Sequence, residues 1–315
     1  MDLSAEKLEL HYYFNDASHS MNALVRNQCE SEFLAIAIEI AKELNFAVEL
    51  ESEAYREGGL KEIWKVIGKN GVQVSILISV IAIVSSRVPL NDPEIDDLQK
   101  QNLRLSIEEK KLRIRKLNKE LEQDHVNENT IIKVAEALET NLKIVTRKSN
   151  FYKQLNRYNK VDRIGFSSLN SNDFPITDER IVLRNKFRNF IIQSHNLTPI
   201  IVEDALIEIV APVLKEGRFK WKGVYDNESI SFSMNDKEFN LDVLHEVISF
   251  KHGTAIECVL LNHQKLDETG EIQITGHSVS TVLRKIDSNE NVETLQGKKY
   301  KFNKKQVDAQ ASLFS

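Results

Sequence analysis

The sequence predicts an α+β protein built from several modules, and three observations support this. Its 315 residues exceed what a single small core usually needs, so two or three modules are expected. The first 58 residues mix strand and helix patterns, whereas the C-terminal half is rich in alternating, β-branched runs separated by turns. Between them lie an apolar run and a long heptad pattern. The predicted order is a small N-terminal α/β module, a hydrophobic helix, a long coiled-coil-like helical hairpin and a C-terminal β-rich domain.

The composition narrows the function classes. With 42 Lys and Arg against 47 Asp and Glu, the net charge is −5, which argues against a general nucleic-acid binder but allows local basic patches. The two cysteines, Cys29 and Cys258, are far apart and have no Cys/His cluster, so a reducing compartment is expected, with neither a disulfide nor a zinc site. The opening "MDLSAEKLEL" lacks the pattern of a signal peptide, so we expect the chain to begin in the cytosol.

Residues 1–58 form the predicted α/β module. Residues 8–14 and 46–51 have strand character, and apolar residues recur at helical spacing over 21–44. Ligands often bind where a strand leads into a helix, which makes this loop a candidate site. Its residues are His11, Asp16, Ser18 and His19. The alternative is that Asp16 and Ser18 only cap the helix.

Residues 59–90 combine two predicted helices. In the first, Lys61, Lys65 and Lys69 lie four residues apart and opposite an apolar stripe that contains Trp64. Such a helix suits a membrane interface, although an ordinary amphipathic surface helix has the same pattern.

The second predicted helix is the apolar run "GVQVSILISVIAIVSSRVP", which starts at Gly71. Small residues form one stripe along it, and such stripes mediate helix association in lipid. The stripe, predicted to mediate oligomerisation, comprises Gly68, Gly71, Ser75, Ser79, Ala82 and Ser86. The run of about 17 residues is at the short end for spanning a bilayer, so a buried core helix and a strand remain alternatives. Lysines before the run predict an inner-membrane protein with a cytoplasmic N-terminus; the alternative location is cytoplasmic.

Residues 91–158 are predicted to be the helical hairpin, because Leu and Ile repeat in heptads on both arms around the turn "NENT". A linker is expected over 159–180, the β-rich domain over 181–296 and a mobile Lys-rich tail over 297–315. Four or five short strands with one inserted helix suggest a small barrel or sandwich.

Candidate ligand-binding residues lie in the C-terminal half, where cations and aromatic residues alternate. They are Lys220, Trp221, Lys222 and Tyr225, with Arg184 and Arg188 as further cations of a positive groove. The alternative is a core tryptophan between exposed lysines. The histidines are scattered, so no metal is predicted, and no motif indicates a catalytic residue or a cofactor.

The chain is predicted to be a non-enzymatic, membrane-associated oligomeric sensor or effector. It would act in bacterial defence, for example against viruses. Its C-terminal domain would bind a ligand or partner and act on the membrane helix. The partners expected are further copies of the chain and a membrane, with a nucleic acid, a nucleotide or another protein as the ligand. The alternative is a soluble regulatory or defence component that binds nucleic acid or protein and buries the apolar run in its core. An enzyme that uses the loop with His11 and His19 is a third hypothesis.

Overall fold

The computed structural model describes residues 4–16, 18, 20–53, 60–88, 128–287 and 290–313. The chain divides into two compact units. The first unit comprises Met1–His195 with Leu266–Glu271, and the second comprises Asn196–Lys265 with Ile272–Ser315.

A five-stranded antiparallel sheet forms one layer of the first unit, in the order β2-β3-β1-β4-β5. The strands are β1 (Lys7–Phe14), β2 (Val48–Ser52), β3 (Leu60–Gly68), β4 (Val161–Leu169) and β5 (Arg180–Leu183). Side chains alternate along β1: Leu8, Leu10 and Tyr12 join the hydrophobic core, so Glu9 and His11 face the opposite side of the sheet. The sheet therefore has a core face and a polar face.

Helices cover the core face. They are α1 (Ala23–Glu43), α2 (Gly71–Ser86), α3 (Glu128–Leu138), α4 (Leu142–Arg157) and a 3-10 helix (Arg184–Phe190). Helix α1 begins where Asn22 accepts hydrogen bonds from the backbone N–H groups of Leu24 and Val25. The predicted helix over 21–44 and the predicted strand over 8–14 are thus confirmed.

The apolar run is the central helix of this unit. Every residue of α2 from Val74 to Ser85 is buried, and the helix contacts α1, α3 and strands β1, β3, β4 and β5. A helix that is hydrophobic all round is stable only where other apolar groups enclose it, and here they belong to the same unit.

Polar groups close both ends of α2. Asn70 accepts a hydrogen bond from Val72 N at the first turn. At the last turn, Lys148 Nζ donates to the carbonyl oxygens of Val84 and Arg87, and the Tyr152 hydroxyl donates to the carbonyl oxygen of Ser85. The carbonyl groups that a helix end leaves unpaired are therefore satisfied inside the core.

Among the described residues, none of the helices combines the length and the apolar content that crossing a membrane requires. This finding contradicts the predicted transmembrane helix and the inner-membrane location. The pattern misled because a predominantly apolar helix of 16 residues has the same composition in a protein core as in lipid.

The predicted interfacial helix is also wrong, because residues 60–68 form strand β3. A spacing of four residues places side chains on one face of a helix, but an even spacing also places them on one face of a strand. Lys61 and Lys65 accordingly lie on the polar face, opposite His11 and Lys7 of β1, while Trp64 is buried in the core.

The long coiled-coil-like hairpin is contradicted as well. Its first arm, residues 91–127, lies outside the described residues. The second arm is two separate helices, α3 and α4, and Asn141 between them caps α4 through Lys143 N and Ile144 N. Apolar spacings of three and four give any amphipathic helix one buried face, and here Ile131, Ala135 and Leu138 pack into the core of the unit.

The second unit is a closed barrel of five strands. They are β6 (Asn196–Ala211), β7 (Trp221–Tyr225), β8 (Glu228–Met234), β9 (Ala255–Leu266) and β10 (Ile272–Asp287). The order is β10-β8-β7-β6-β9, and pairing of β9 with β10 closes the ring. Strand β6 pairs antiparallel with β7 and with β9, and β7 pairs antiparallel with β8, whereas β8 pairs parallel with β10.

Helix α5 (Lys237–Leu244) lies between β8 and β9 in the chain, and β11 (Glu290–Glu293) pairs with β10. Asp236 caps the start of α5 by accepting a hydrogen bond from Phe239 N, and its other oxygen accepts one from Val282 N on β10. Residues 297–313 of the predicted tail lie in helix α6 (Leu295–Leu313).

The barrel core is aromatic and β-branched. Trp221 packs on Phe232, Phe239 and Phe250. Gly223 allows β7 to lie close to β6, because a Cβ there would overlap Ile207 and the carbonyl oxygen of Glu208 on that neighbouring strand. The fold is therefore mixed α and β with a closed five-stranded barrel, and this corrects the predicted fold class.

Candidate functional site

The outer surface of β7 and β8, with the loop that precedes β7, forms one candidate site, which we call the β7–β8 face. It comprises Lys215, Arg218, Phe219, Lys220, Lys222, Ser229 and Ser231. The strand register places Lys222 beside Ser231, and all seven residues are exposed. The whole face lies within the second unit.

The face is locally basic. The segment 212–222 contains four cations and one acid, Glu216. The cations are Lys215, Arg218, Lys220 and Lys222. In the described part of the chain, none of these four cations is held in an ion pair, so their charges remain available to an anionic ligand. The charge of Lys220 also reaches β10: burial, His263 and Lys220 together lower the pKa of His277.

The face also presents an aromatic ring. Phe219 is 55% exposed between Arg218 and Lys220, whereas Trp221 is only 1% exposed. The indole predicted to bind a ligand therefore lies in the barrel core, as the alternative for this residue expects, and Tyr225 packs partly against the same core. Sequence reasoning missed Phe219, because a ring in a loop outside the strand alternation carries no pattern.

Arg184 and Arg188, the other predicted cations, belong to the first unit. They line a cavity of about 730 Å³ with Asn156, Asn159 and Asp162. The guanidinium group of Arg184 donates to the carbonyl oxygens of Leu155, Asn156, Tyr158 and Val161 and to Asn159 Oδ1. These bonds satisfy the C-terminal end of α4, so Arg184 has a structural task there.

A second candidate site lies on the polar face of the first unit's sheet. Glu9, His11 and Glu179 form what we call the polar cluster, and their ligand-type atoms all lie within 4.8 Å of one another. Glu9 and His11 are two residues apart on β1, so the strand alternation places both on this face. Glu179 directly precedes β5, which pairs with β4 beside β1.

Each member of the polar cluster has distinct neighbours. Both carboxylate oxygens of Glu9 accept hydrogen bonds from Lys61 Nζ, at 3.1 and 3.0 Å. Glu179 Oε2 accepts one from the Tyr13 hydroxyl at 2.6 Å. His11 Nδ1 lies 3.5 Å from Glu179 Oε1, which is long for a hydrogen bond.

The charge state of His11 follows from its surroundings. Burial is the main cause that lowers the pKa of His11, to about 4. The charges of Lys61 and, to a smaller extent, Arg163 act in the same direction, whereas Glu179 raises the pKa. The imidazole is therefore neutral near pH 7 and keeps a nitrogen lone pair. Burial and the bond to Glu179 raise the pKa of Tyr13, so its hydroxyl stays a donor.

Of the predicted loop residues, the structure describes His11, Asp16 and Ser18. Asp16 Oδ1 accepts hydrogen bonds from the backbone and hydroxyl of Ser18, and the cap of α1 is Asn22 instead of either residue. His19 lies outside the described residues. His11 belongs to the polar cluster instead. Strand alternation along β1 could have placed Glu9 on the same face as His11, but no local pattern connects Glu179 with them, because it is distant in the sequence.

The predicted oligomerisation stripe is used mostly inside the first unit. Ser75 Oγ accepts a hydrogen bond from Ala5 N, Ser79 Oγ donates to the Ser75 carbonyl, and Ser86 Oγ donates to the Ala82 carbonyl. Ser79 and Ala82 also line a cleft of about 310 Å³. Gly68 ends β3, and Gly71 begins α2 at an exposed position.

Comparisons with known proteins give no relative: no family model, no curated protein and no solved structure matches the chain.

Proposed function

We propose that the second unit binds single-stranded nucleic acid on the β7–β8 face. Its five strands, the helix between the third and fourth of them, and the parallel pair that helps to close the ring have the arrangement of an OB-fold. OB-folds bind oligonucleotides on the surface of the second and third strands and on the loop between the first and second. In this chain those elements are β7, β8 and the loop 212–220.

The observation that carries the proposal is the chemistry of that surface. Single strands are held by cations that follow the phosphates and by aromatic rings on which bases stack. The β7–β8 face offers four cations outside any ion pair in the described residues, one exposed ring in Phe219, and the hydroxyl groups of Ser229 and Ser231.

The same surface argues against recognition of a particular base sequence. Lysines and serines contact phosphates and sugars, which carry no sequence information. On a single strand, four phosphate contacts would give a slope of about −3 when the logarithm of the binding constant is plotted against the logarithm of the salt concentration. Binding is therefore expected to be modest in affinity and to weaken strongly as salt rises.

The test measures fluorescence anisotropy of labelled 20-nucleotide single strands of DNA and RNA, and of a duplex, with the full chain at two salt concentrations. Wild type is expected to bind single strands more tightly than duplex. The double variant Lys220→Ala/Lys222→Ala should weaken binding about tenfold or more, because two phosphate contacts are lost. Phe219→Ala should weaken it by about 1–3 kcal/mol, the usual loss of one stacked base.

The matched control is Lys237→Ala/Lys299→Ala, which removes the same charge from two exposed lysines of the second unit outside this face. Equal weakening by the control would show that only overall charge matters. That result, or a wild type that does not bind single strands, would contradict the proposal.

A further inference from the structure

We propose that the polar cluster of the first unit, Glu9, His11 and Glu179, binds one divalent transition-metal ion. The cluster is independent of the β7–β8 face, since it lies in the other unit.

The donor set fits such an ion. One imidazole nitrogen and two carboxylates, with all three donor atoms within 4.8 Å of one another, are ligands that Zn²⁺ and Mn²⁺ accept. Three protein ligands leave an open coordination position, as in metal sites that bind water or a substrate.

The backbone is shaped for this arrangement. Gly165 of β4 lies directly opposite His11 in the strand register, and a Cβ there would overlap Glu179 Oε1. The carboxylate of Glu179 thus occupies the place where any other residue would put its side chain. Because Gly165 leaves this space, Glu179 reaches across β4 to His11 of β1.

One atom of the cluster lacks a partner. Glu179 Oε1 is buried, and within the described residues no hydrogen bond reaches it. His11, only 8% exposed, points Nδ1 toward this oxygen at 3.5 Å. A buried carboxylate oxygen without a donor is costly, and an ion shared by these two atoms would remove that cost.

Lys61 is the built-in competitor of the ion. Its ammonium group binds both oxygens of Glu9, which is only 6% exposed. A metal ion and this ammonium group would share the same carboxylate. Removal of the lysine charge should therefore strengthen metal binding, whereas a polar cluster with no affinity for metal would gain nothing.

The test titrates the full chain, freed of metal by a chelator, with Zn²⁺ and separately with Mn²⁺, in a calorimeter. Elemental analysis after dialysis gives the stoichiometry. We expect one ion per chain. Glu179→Gln and His11→Gln should each weaken binding by at least about 100-fold, because each removes a ligand. Lys61→Gln should tighten it about fivefold or more, because it removes the competing charge.

The matched control is Glu53→Gln, which removes a carboxylate that pairs with Lys7 of the same strand β1 but lies outside the polar cluster. Its affinity should equal that of wild type. Circular dichroism checks that each variant folds. If His11→Gln does not fold, Glu179→Gln and Lys61→Gln still test the proposal. Absence of stoichiometric metal in wild type, or unchanged affinity in both Glu179→Gln and Lys61→Gln, would overturn the proposal.

Discussion

A single buried cation, Lys148, shows how individual residues hold the first unit together. Its side chain is 0% exposed, yet it donates to the carbonyl oxygens of Val84 and Arg87 and lies 3.9 Å from Glu139. Burial lowers the pKa of Lys148 to about 8, opposed by Glu139 and assisted by Arg87. The ammonium group thus closes the C-terminal end of α2 where water has no access.

Replacing Lys148 by Met should destabilise the protein by about 2–3 kcal/mol at pH 7, because two carbonyl groups lose their donor and Glu139 keeps only Arg87 as a cation within 4 Å among the described residues. Chemical denaturation with circular dichroism measures this. Lys153→Met, on the next turn of the same helix and in no ion pair with any residue that the structure describes, is the control and should change stability by less than about 0.5 kcal/mol.

The same residue predicts a pH dependence. Its folded-state pKa of about 8 lies below its ordinary value of 10.5, so the unfolded chain binds more protons between these values. Stability of wild type relative to Lys148→Met should therefore rise as pH increases from about 8 to 10.5 and stay level below pH 8. A stability difference that does not change over this window would contradict the lowered pKa.

Among the elements, α2 separates what sequence shows from what it hides. The helix itself, its apolar character and its stripe of small residues follow from spacing alone, because they are local properties. Its environment does not, because β4 and β5, which cover it, come 75 or more residues later in the chain. A single apolar helix has the same sequence signature whether lipid or protein encloses it.

Ser75→Leu distinguishes these environments. Ser75 is fully buried and accepts a hydrogen bond from Ala5 N, so a larger apolar side chain should overpack the core and destabilise the protein by about 1–3 kcal/mol. Denaturation measures the loss, and light scattering measures the molecular size. Under the oligomer hypothesis the variant would instead change the size and leave stability unaltered.

Gly71→Ala is the control for this experiment. It lies on the same stripe, but a Cβ at Gly71 meets no atom within 4 Å. Its stability should therefore be equal to or slightly above that of wild type, since alanine favours helix more than glycine does.

β3 and the second unit show the limits of pattern at the same scale. The lysines of β3 suit a helix and a strand equally, and only pairing with β1 and β2 decides between them. In the second unit, alternating runs and turn residues predicted four or five short strands, and the barrel has five. They did not show which strands pair, so the closed ring and its outer surface could not be derived.

For the whole molecule, each unit has its own core and its own tryptophan. Trp64 belongs to the core of the first unit and Trp221 to that of the second. The polar cluster and the β7–β8 face are likewise divided between the units. The sequence predicted His11 of the polar cluster and Lys220 and Lys222 of the β7–β8 face. Glu9, Glu179 and the exposure of Phe219 required the fold.

We therefore expect residues 196–315 to fold when produced alone. This fragment contains all strands of the barrel, α5 and α6. It should unfold in one cooperative transition, during which the emission of Trp221 shifts to longer wavelength as the indole becomes exposed to water. It should also retain the single-strand binding of the full chain. Fluorescence during a urea titration measures the first point. A fragment without a cooperative transition would contradict an independent second unit.

The position of α2 in the chain has a consequence for biosynthesis. The ribosome releases this helix long before it has made β4 and β5, so its most apolar surface emerges with only β1, α1, β2 and β3 available to shield it. Until about residue 183 has emerged, the nascent polypeptide carries a segment that resembles a membrane signal. Chaperone capture or delayed translation over this interval would then decide how much of the protein reaches its native state.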